Sequence, residues 1–209
     1  MKGDIKASIL RQIEESPENS IFFLSDFSGE GAIESVRKIF LQARLSGVLV
    51  HLTHGIYAKP KKSRFGVVPP SLELIAKKIA ERDHVQIVPS GYTAINLLGL
   101  STQVPMTLTY LTTGSTREVK IGNRSIKFRH AAPKNFAAKG QTVILIIQAL
   151  KELGKDNIGQ SEISQLKSYI AQAKDRNLIP EDLLLAPQWI QKFLKPLIPD
   201  PKDETLAIL

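Results

Sequence analysis

Along the first sixty residues the apolar positions change period twice. Ile5, Ile9, Leu10 and Ile13 fall on one side of a 3.6-residue repeat, which predicts a helix over residues 4–15. Ser16-Pro17-Glu18-Asn19 breaks it. Ile21-Phe22-Phe23-Leu24 is a short apolar run, and Ser25-Asp26-Phe27 reads as the start of a small helical turn. After the turn Ser28-Gly29-Glu30-Gly31, apolar residues Ile33, Val36, Phe40 and Ala43 recur three and four apart. They predict a longer helix over about residues 32–45 with one apolar stripe. Ser46-Gly47 is placed to cap its end. The pattern then becomes strand-like: residues 48–52 and 55–58 predict two strands, with Thr53-His54 as the tight turn between them.

The stretch from Lys59 to Pro70 is rich in Pro, Gly and Lys and separates two patterns, so it is expected to be a linker. Beyond it, residues 71–82 predict an amphipathic helix with Ser71 as its N-cap. Residues 85–88 predict a buried strand, Pro89-Ser-Gly91 a turn, and residues 92–98 a helix ending at Gly99. Within this stretch Ser90 is placed to cap the helix, and Ala94, Leu97 and Leu98 are expected to face a core. Residues 107–112, 118–121 and 125–130 predict strands, the last two joined at Gly122-Asn123. From Thr142 onward the pattern is helical, over 142–153, 161–174 and 187–194. The expected class is α+β, with an N-terminal winged helix-turn-helix over residues 1–62, a mixed α+β domain over 70–199 and a tail over 200–209.

Composition narrows the classes. The chain is 43% hydrophobic and 23% charged, ordinary values for a folded protein. It has no cysteine, which excludes disulfides and thiolate metal sites. The first sixteen residues have charges scattered through them and lack the apolar stretch of a signal peptide. The longest apolar run, Val143 to Ile147, is far too short to span a bilayer. A cytoplasmic protein without membrane contact is expected.

The net charge of +8 is unevenly spread. Between Arg37 and Leu72 there are seven basic residues and no acidic one; between Arg117 and Lys139 there are seven basic and one acidic. Such asymmetry fits a polyanionic partner or a solvated basic face. Helix, short helix, longer helix and hairpin is the order of a winged helix-turn-helix, whose DNA binding needs a side-chain face for the major groove and flanking cations for phosphate. The face opposite the stripe offers Ser35, Arg37, Lys38, Gln42 and Arg44, where Arg matches guanine and Gln matches adenine bidentately. The hairpin offers His51, Thr53 and His54, followed by Lys59, Lys61, Lys62 and Arg64 for the backbone. A second basic patch comprises Arg117, Lys120, Arg124, Lys127, Arg129 and Lys134, with Lys127 and Arg129 on one strand face and Ile126 and Phe128 on the other. That patch suits DNA, RNA or protein contact, or plain solvation.

The segment His54-Gly-Ile-Tyr-Ala-Lys-Pro60, preceded by Arg44-Leu45-Ser-Gly47-Val-Leu49, resembles the wing and preceding helix of AbiEi-like antitoxins, with a spacer one residue shorter. Ser90-Gly-Tyr-Thr-Ala-Ile-Asn-Leu-Leu-Gly-Leu-Ser-Thr-Gln-Val-Pro105 resembles that family's Ser-Gly-x-x-Ala-Leu-x-x-Leu-Gly-Leu-Thr-x-Gln-x-Pro helix. The resemblance covers roughly residues 3–130. It implies a type IV antitoxin of a bacterial abortive-infection system, whose winged helix binds inverted repeats in its own operator and represses its operon. It also implies a C-terminal domain that counters a nucleotidyltransferase-fold toxin, with or without touching it. The last sixty residues carry the resemblance less clearly.

No catalytic set stands beside these features. There is no phosphate-binding glycine loop and no nucleophile elbow. The four histidines lie at 51, 54, 84 and 130, without the spacing of a metal site. Glu118-Val-Lys120 has a carboxylate-x-Lys pattern found in some nucleases, but an exposed strand of alternating charge accounts for it. The expectation is a non-enzyme with no cofactor and no metal. The alternatives are a protein-interaction module with a winged helix that does not bind DNA, and a nucleic-acid-processing enzyme.

Overall fold

Ile9 and Ile13 lie one turn apart on α1 (Ile5–Glu15), and both are fully buried. They meet Val36, Ile39, Phe40 and Ala43 of α2 (Ile33–Leu45), which occupy a single stripe. The computed structural model describes residues 5–64 and 66–198, the side chain of Lys62 excepted; the helix start at Asp4 and the tail over 200–209 lie outside the described residues. The stripe on α2 differs in one member from the expected one. Ile33, in the first turn, is 43% exposed, and Ile39 takes its place in the core. Gly47 ends α2 at φ +74°, a conformation with little cost to glycine, and the N–H of Val48 closes onto the carbonyl of Ala43.

The apolar run after α1 becomes β1 (Ile21–Phe23), which pairs antiparallel with β3 (Ile56–Ala58). β3 is central, with β2 (Val50–Thr53) on its other side. The expected hairpin is present, but its turn is at His54-Gly55 rather than Thr53-His54. The shift follows from a bulge between His51 and Thr53, which carries Thr53 opposite Ile56. A 3₁₀ turn, Leu24–Phe27, joins β1 to the approach to α2, and the Asp26 carboxylate accepts the Phe23 N–H at 2.9 Å. The expected linker is partly ordered. β4 (Lys61–Ser63) and β5 (Gly66–Val68) pair as a separate two-stranded ribbon. Val67 and Val68 are exposed on it, which is why no buried-strand pattern marks it.

α3 (Leu72–Arg82) is capped as expected, the Leu74 N–H donating to the Ser71 hydroxyl. Its Arg82 guanidinium lies over the Phe23 ring, 4.3 Å from the centroid. Contact density groups α3 with the elements before it. One unit comprises the residues up to Arg82 together with Val119–Ser125, and the second comprises Asp83–Glu118 and the residues from Ile126. The division thus falls after Arg82 and not within residues 62–70.

β6 (Ile87–Pro89), β7 (Thr107–Thr112), β8 (Arg117–Ile121) and β9 (Arg124–His130) form a four-stranded sheet in the order β6-β7-β9-β8. Leu108 and Tyr110 on β7 and Ile126 and Phe128 on β9 alternate inward, as expected for strands with one buried face. Between β6 and β7 lies α4 (Tyr92–Leu97). Ala94, Ile95 and Leu98 are buried there, but Leu97 is 42% exposed because it points away from the three that share a face. Ser90 does not cap α4. Gly91 is the N-cap, at φ +58°, and the Ser90 backbone N–H is taken up by the Thr109 carbonyl.

The second unit is organised around α5 (Gln141–Leu153), in which every residue from Thr142 to Leu150 is buried. α4, α6 (Gln160–Ala171), α7 (Ile179–Leu183) and α8 (Gln188–Leu194) supply the rest of that core. α6 stops three residues before the expected end. α7 was not expected, since its five residues are too short to show a period. A buried helix must satisfy its first N–H groups inside the protein. Two carboxylates from the α6–α7 region do this. Asp182, 2% exposed, accepts from Lys139 N at 2.9 Å and Gly140 N at 2.7 Å, while Asp175 accepts from the Thr142 N–H at 2.9 Å and from its hydroxyl. A Cβ at residue 140 would collide with the Asp175 carboxylate, so glycine is needed for the close approach.

Burial pushes the Asp175 pKa up, but the hydrogen bonds from Thr142 outweigh it and hold the carboxyl below its ordinary value. A folded pKa below the unfolded one gives stabilisation that is complete above about pH 4 and lost as pH falls through the folded value. Asp175→Asn is therefore expected to lower stability at neutral pH and to flatten its decline on acidification. Urea unfolding from neutral to acid pH measures both, and an unchanged decline would show that the Asp175 cap plays no part.

Candidate nucleic-acid interface

The stripe that holds α2 in its core fixes what the helix shows outside. Ser35, Arg37, Lys38, Gln42 and Arg44 are all exposed. Arg37 is not idle: its guanidinium meets the Glu34 carboxylate at 3.1 Å, with both side chains more than half exposed. An i,i+3 pair in water is weak, typically about 0.2–0.5 kcal/mol, and a phosphate or guanine can displace it. Leu41 and Leu45 are 47% and 78% exposed on the same face. They put an apolar strip among the cations.

The chain brings the end of α2 and the hairpin together. His51 stands opposite Tyr57 in register, and their rings are 5.0 Å apart. Tyr57 packs edge-on against Phe40 of α2, and Phe40 against Phe27 of the 3₁₀ turn. This line of aromatic rings fastens α2 to the hairpin. His51 feels three influences that lower its pKa: partial burial first, then the nearby positive charges of Arg44 and His54. Arg44, His51 and His54 thus lie close together where the end of α2 meets the hairpin. Thr53 is half-buried beside the bulge.

The remaining candidates divide. Lys61 and Arg64 are exposed on and beside the β4–β5 ribbon, and Lys62 belongs to β4, its side chain lying outside the described residues. Lys59 is not displayed for a phosphate. Its ammonium donates to the carbonyls of Glu14 at 2.6 Å and Ser16 at 2.7 Å, which closes the C-terminus of α1. Unpaired helix-end carbonyls attract a cation, and a lysine one position past β3 can reach them only in the folded chain.

In the second basic patch, Arg117 is committed to Asp83 and lies over the Phe128 ring, 5.2 Å from its centroid. Lys120 is exposed on β8 on the same face as Glu118, and Arg124 is half-buried. Lys127 and Arg129 are exposed on β9, on the face opposite Ile126 and Phe128, and Lys134 is exposed in the following 3₁₀ turn. The set is spread over the two units, with Lys120 and Arg124 in the first and the others in the second.

Sequence reading found the charged residues but not the line of aromatic rings. Phe27, Phe40 and Tyr57 are separated by 13 and 17 positions, and only the fold aligns them. Nor did it assign a role to the exposed Leu45, although its i,i+4 spacing from Leu41 was a visible signal. Among the described residues, no three histidine or acidic side chains gather as a metal site, and no helix is long and apolar enough to cross a membrane.

These features define an α+β protein whose first unit displays a helix face and hairpin with clustered cations. Residues 8–178 match DUF6088, a family of unknown function, and the chain belongs to that family. No curated protein matches it.

Proposed function

We propose that the first unit is a winged helix-turn-helix that binds double-stranded DNA through α2 and the β2–β3 hairpin. The chain then acts as a transcriptional regulator of the AbiEi-like antitoxin kind, a cytoplasmic binder and not an enzyme. It represses its own operon at inverted repeats, while the second unit counters a nucleotidyltransferase-fold toxin. The observation that carries the DNA reading is the convergence of Arg44 with His51 and His54, next to the exposed face of α2. Support also comes from the absence of acidic residues from Arg37 to Leu72, which leaves no carboxylate there to repel phosphate. The antitoxin part rests on the resemblance of residues 44–60 and 90–105.

The test is fluorescence anisotropy with duplex DNA from upstream of the chain's own coding sequence, titrated over salt and pH. With about six phosphate contacts, log K falls against log salt with a slope of about −5. The pH effect follows from His51. Burial, Arg44 and His54 hold its pKa down in the free protein, and a phosphate alongside raises it. Binding therefore takes up a proton, so affinity rises as pH falls toward the lowered His51 pKa. His51→Gln removes that rise. Absence of binding, or a slope near zero, overturns the DNA reading.

Leu41 and Leu45 favour one alternative, a protein-interaction module using the same helix face. A partner held there binds with little salt dependence, and Leu45→Asp abolishes it.

A further inference from the structure

The second unit holds an open cavity of about 550 Å³, bounded by β7, β9, α5 and the start of α4. Thr107, Thr109 and Leu111 alternate along β7 and line one wall. Two cations reach the cavity from different elements, Arg129 from β9 and Lys151 from the last turn of α5. Neither has an ion-pair partner among the described residues. Partial burial, and then repulsion from Lys134, hold the Lys151 pKa below its ordinary value. Glu152, which follows Lys151 on α5, lies beside Gly91, its carboxylate oxygen 3.6 Å from where a Cβ on that glycine would stand. Tyr92, 66% exposed, offers an aromatic face at the rim.

Each part has a chemical preference. Uncompensated cations are relieved by an anion, and phosphate suits an arginine fork beside a lysine point charge. A single carboxylate near threonine hydroxyls accepts hydrogen bonds from sugar hydroxyls or a ring amine. An exposed tyrosine stacks on a planar ring. The volume lies within the range of about 300–1,000 Å³ usual for small-molecule clefts and exceeds what inorganic phosphate needs.

We propose that this cavity binds a phosphorylated small molecule of mononucleotide size. Its phosphate lies on Arg129 and Lys151, its hydroxyl-bearing part faces Thr109 and Glu152, and its planar ring rests against Tyr92. The assignment is independent of the DNA reading, since every lining residue belongs to the second unit.

Calorimetric titration of the full chain with 5′-AMP, 5′-GMP, 5′-CMP and 5′-UMP tests it, with inorganic phosphate and the four nucleosides as separate probes. At least one mononucleotide is expected to bind saturably, and at least about tenfold more tightly than phosphate or its own nucleoside. R129Q and K151Q, both at exposed positions, each weaken that binding by about tenfold or more, as loss of a charge-assisted hydrogen bond does. Three results each overturn the proposal: no saturable binding by any of the four up to about 1 mM, binding that both variants leave unchanged, or phosphate alone binding as tightly as the nucleotide.

Discussion

A chain with alanine at both Arg37 and Arg44 is expected to lose at least about 30-fold in affinity for operator DNA, since each good bidentate arginine–guanine pair contributes about 1–3 kcal/mol. The two side chains are a week of residues apart on α2, two helical turns, so they reach neighbouring parts of one groove. Arg37→Ala carries an added penalty. It releases Glu34 from its 3.1 Å partner and leaves a carboxylate facing phosphate. Lys59→Ala is the informative control. It removes the clamp on the α1 carbonyls, so it is expected to reduce stability by about 1–2 kcal/mol while leaving the salt slope of binding unchanged. A gel-shift and anisotropy series on the three variants measures both effects. An unchanged operator shift in the double variant removes α2 from the DNA-reading role.

Phe40→Ala is expected to be the most damaging single substitution in the first unit, at about 3–5 kcal/mol. Phe40 is fully buried, and its ring contacts Phe27 at 5.2 Å and Tyr57 at 5.0 Å. Truncation leaves a cavity and also cuts the line of rings that runs from the 3₁₀ turn to His51. DNA affinity is then expected to fall even below the melting temperature, because α2 and the hairpin lose their shared fastening. Thermal melting followed by circular dichroism, with anisotropy on the still-folded fraction, separates the two losses. Phe40→Leu keeps most of the volume but not the edge-on contacts, so it should restore stability more than affinity. Equal recovery of both would show that the ring line has no positioning role.

Much of the layout was legible because it is written locally. The 3.6-residue spacing of Val36, Phe40 and Ala43 marks α2, and Gly47 marks its end. The alternation of Ile126 and Phe128 with Lys127 and Arg129 marks β9 and its two faces. What was not legible depends on partners distant in sequence. Three apolar residues, Ile21 to Phe23, have no period of their own, and only β3 makes them a strand. The β4–β5 ribbon buries nothing that a pattern would register. The candidate interface shows the same divide. Residue type identified the cations, but whether a cation faces solvent depends on what lies next to it. Lys59 finds carbonyls 45 and 43 positions earlier, and Arg117 finds Asp83, 34 positions away.

The caps on α5 bear on how the polypeptide is born. Both carboxylates follow the helix they close, Asp175 by 33 positions and Asp182 by 42. While a ribosome is still adding residues 154–174, this apolar helix has been made but its leading amides have only water, and not the two carboxylates, to accept their hydrogen bonds. Residues 5–82, by contrast, need nothing made later for their own buried stripe, rings and ribbon. The two halves therefore mature on different clocks during synthesis. For an interval in every round of translation, every residue of the first unit has been made while α5 still lacks the carboxylates that cap it.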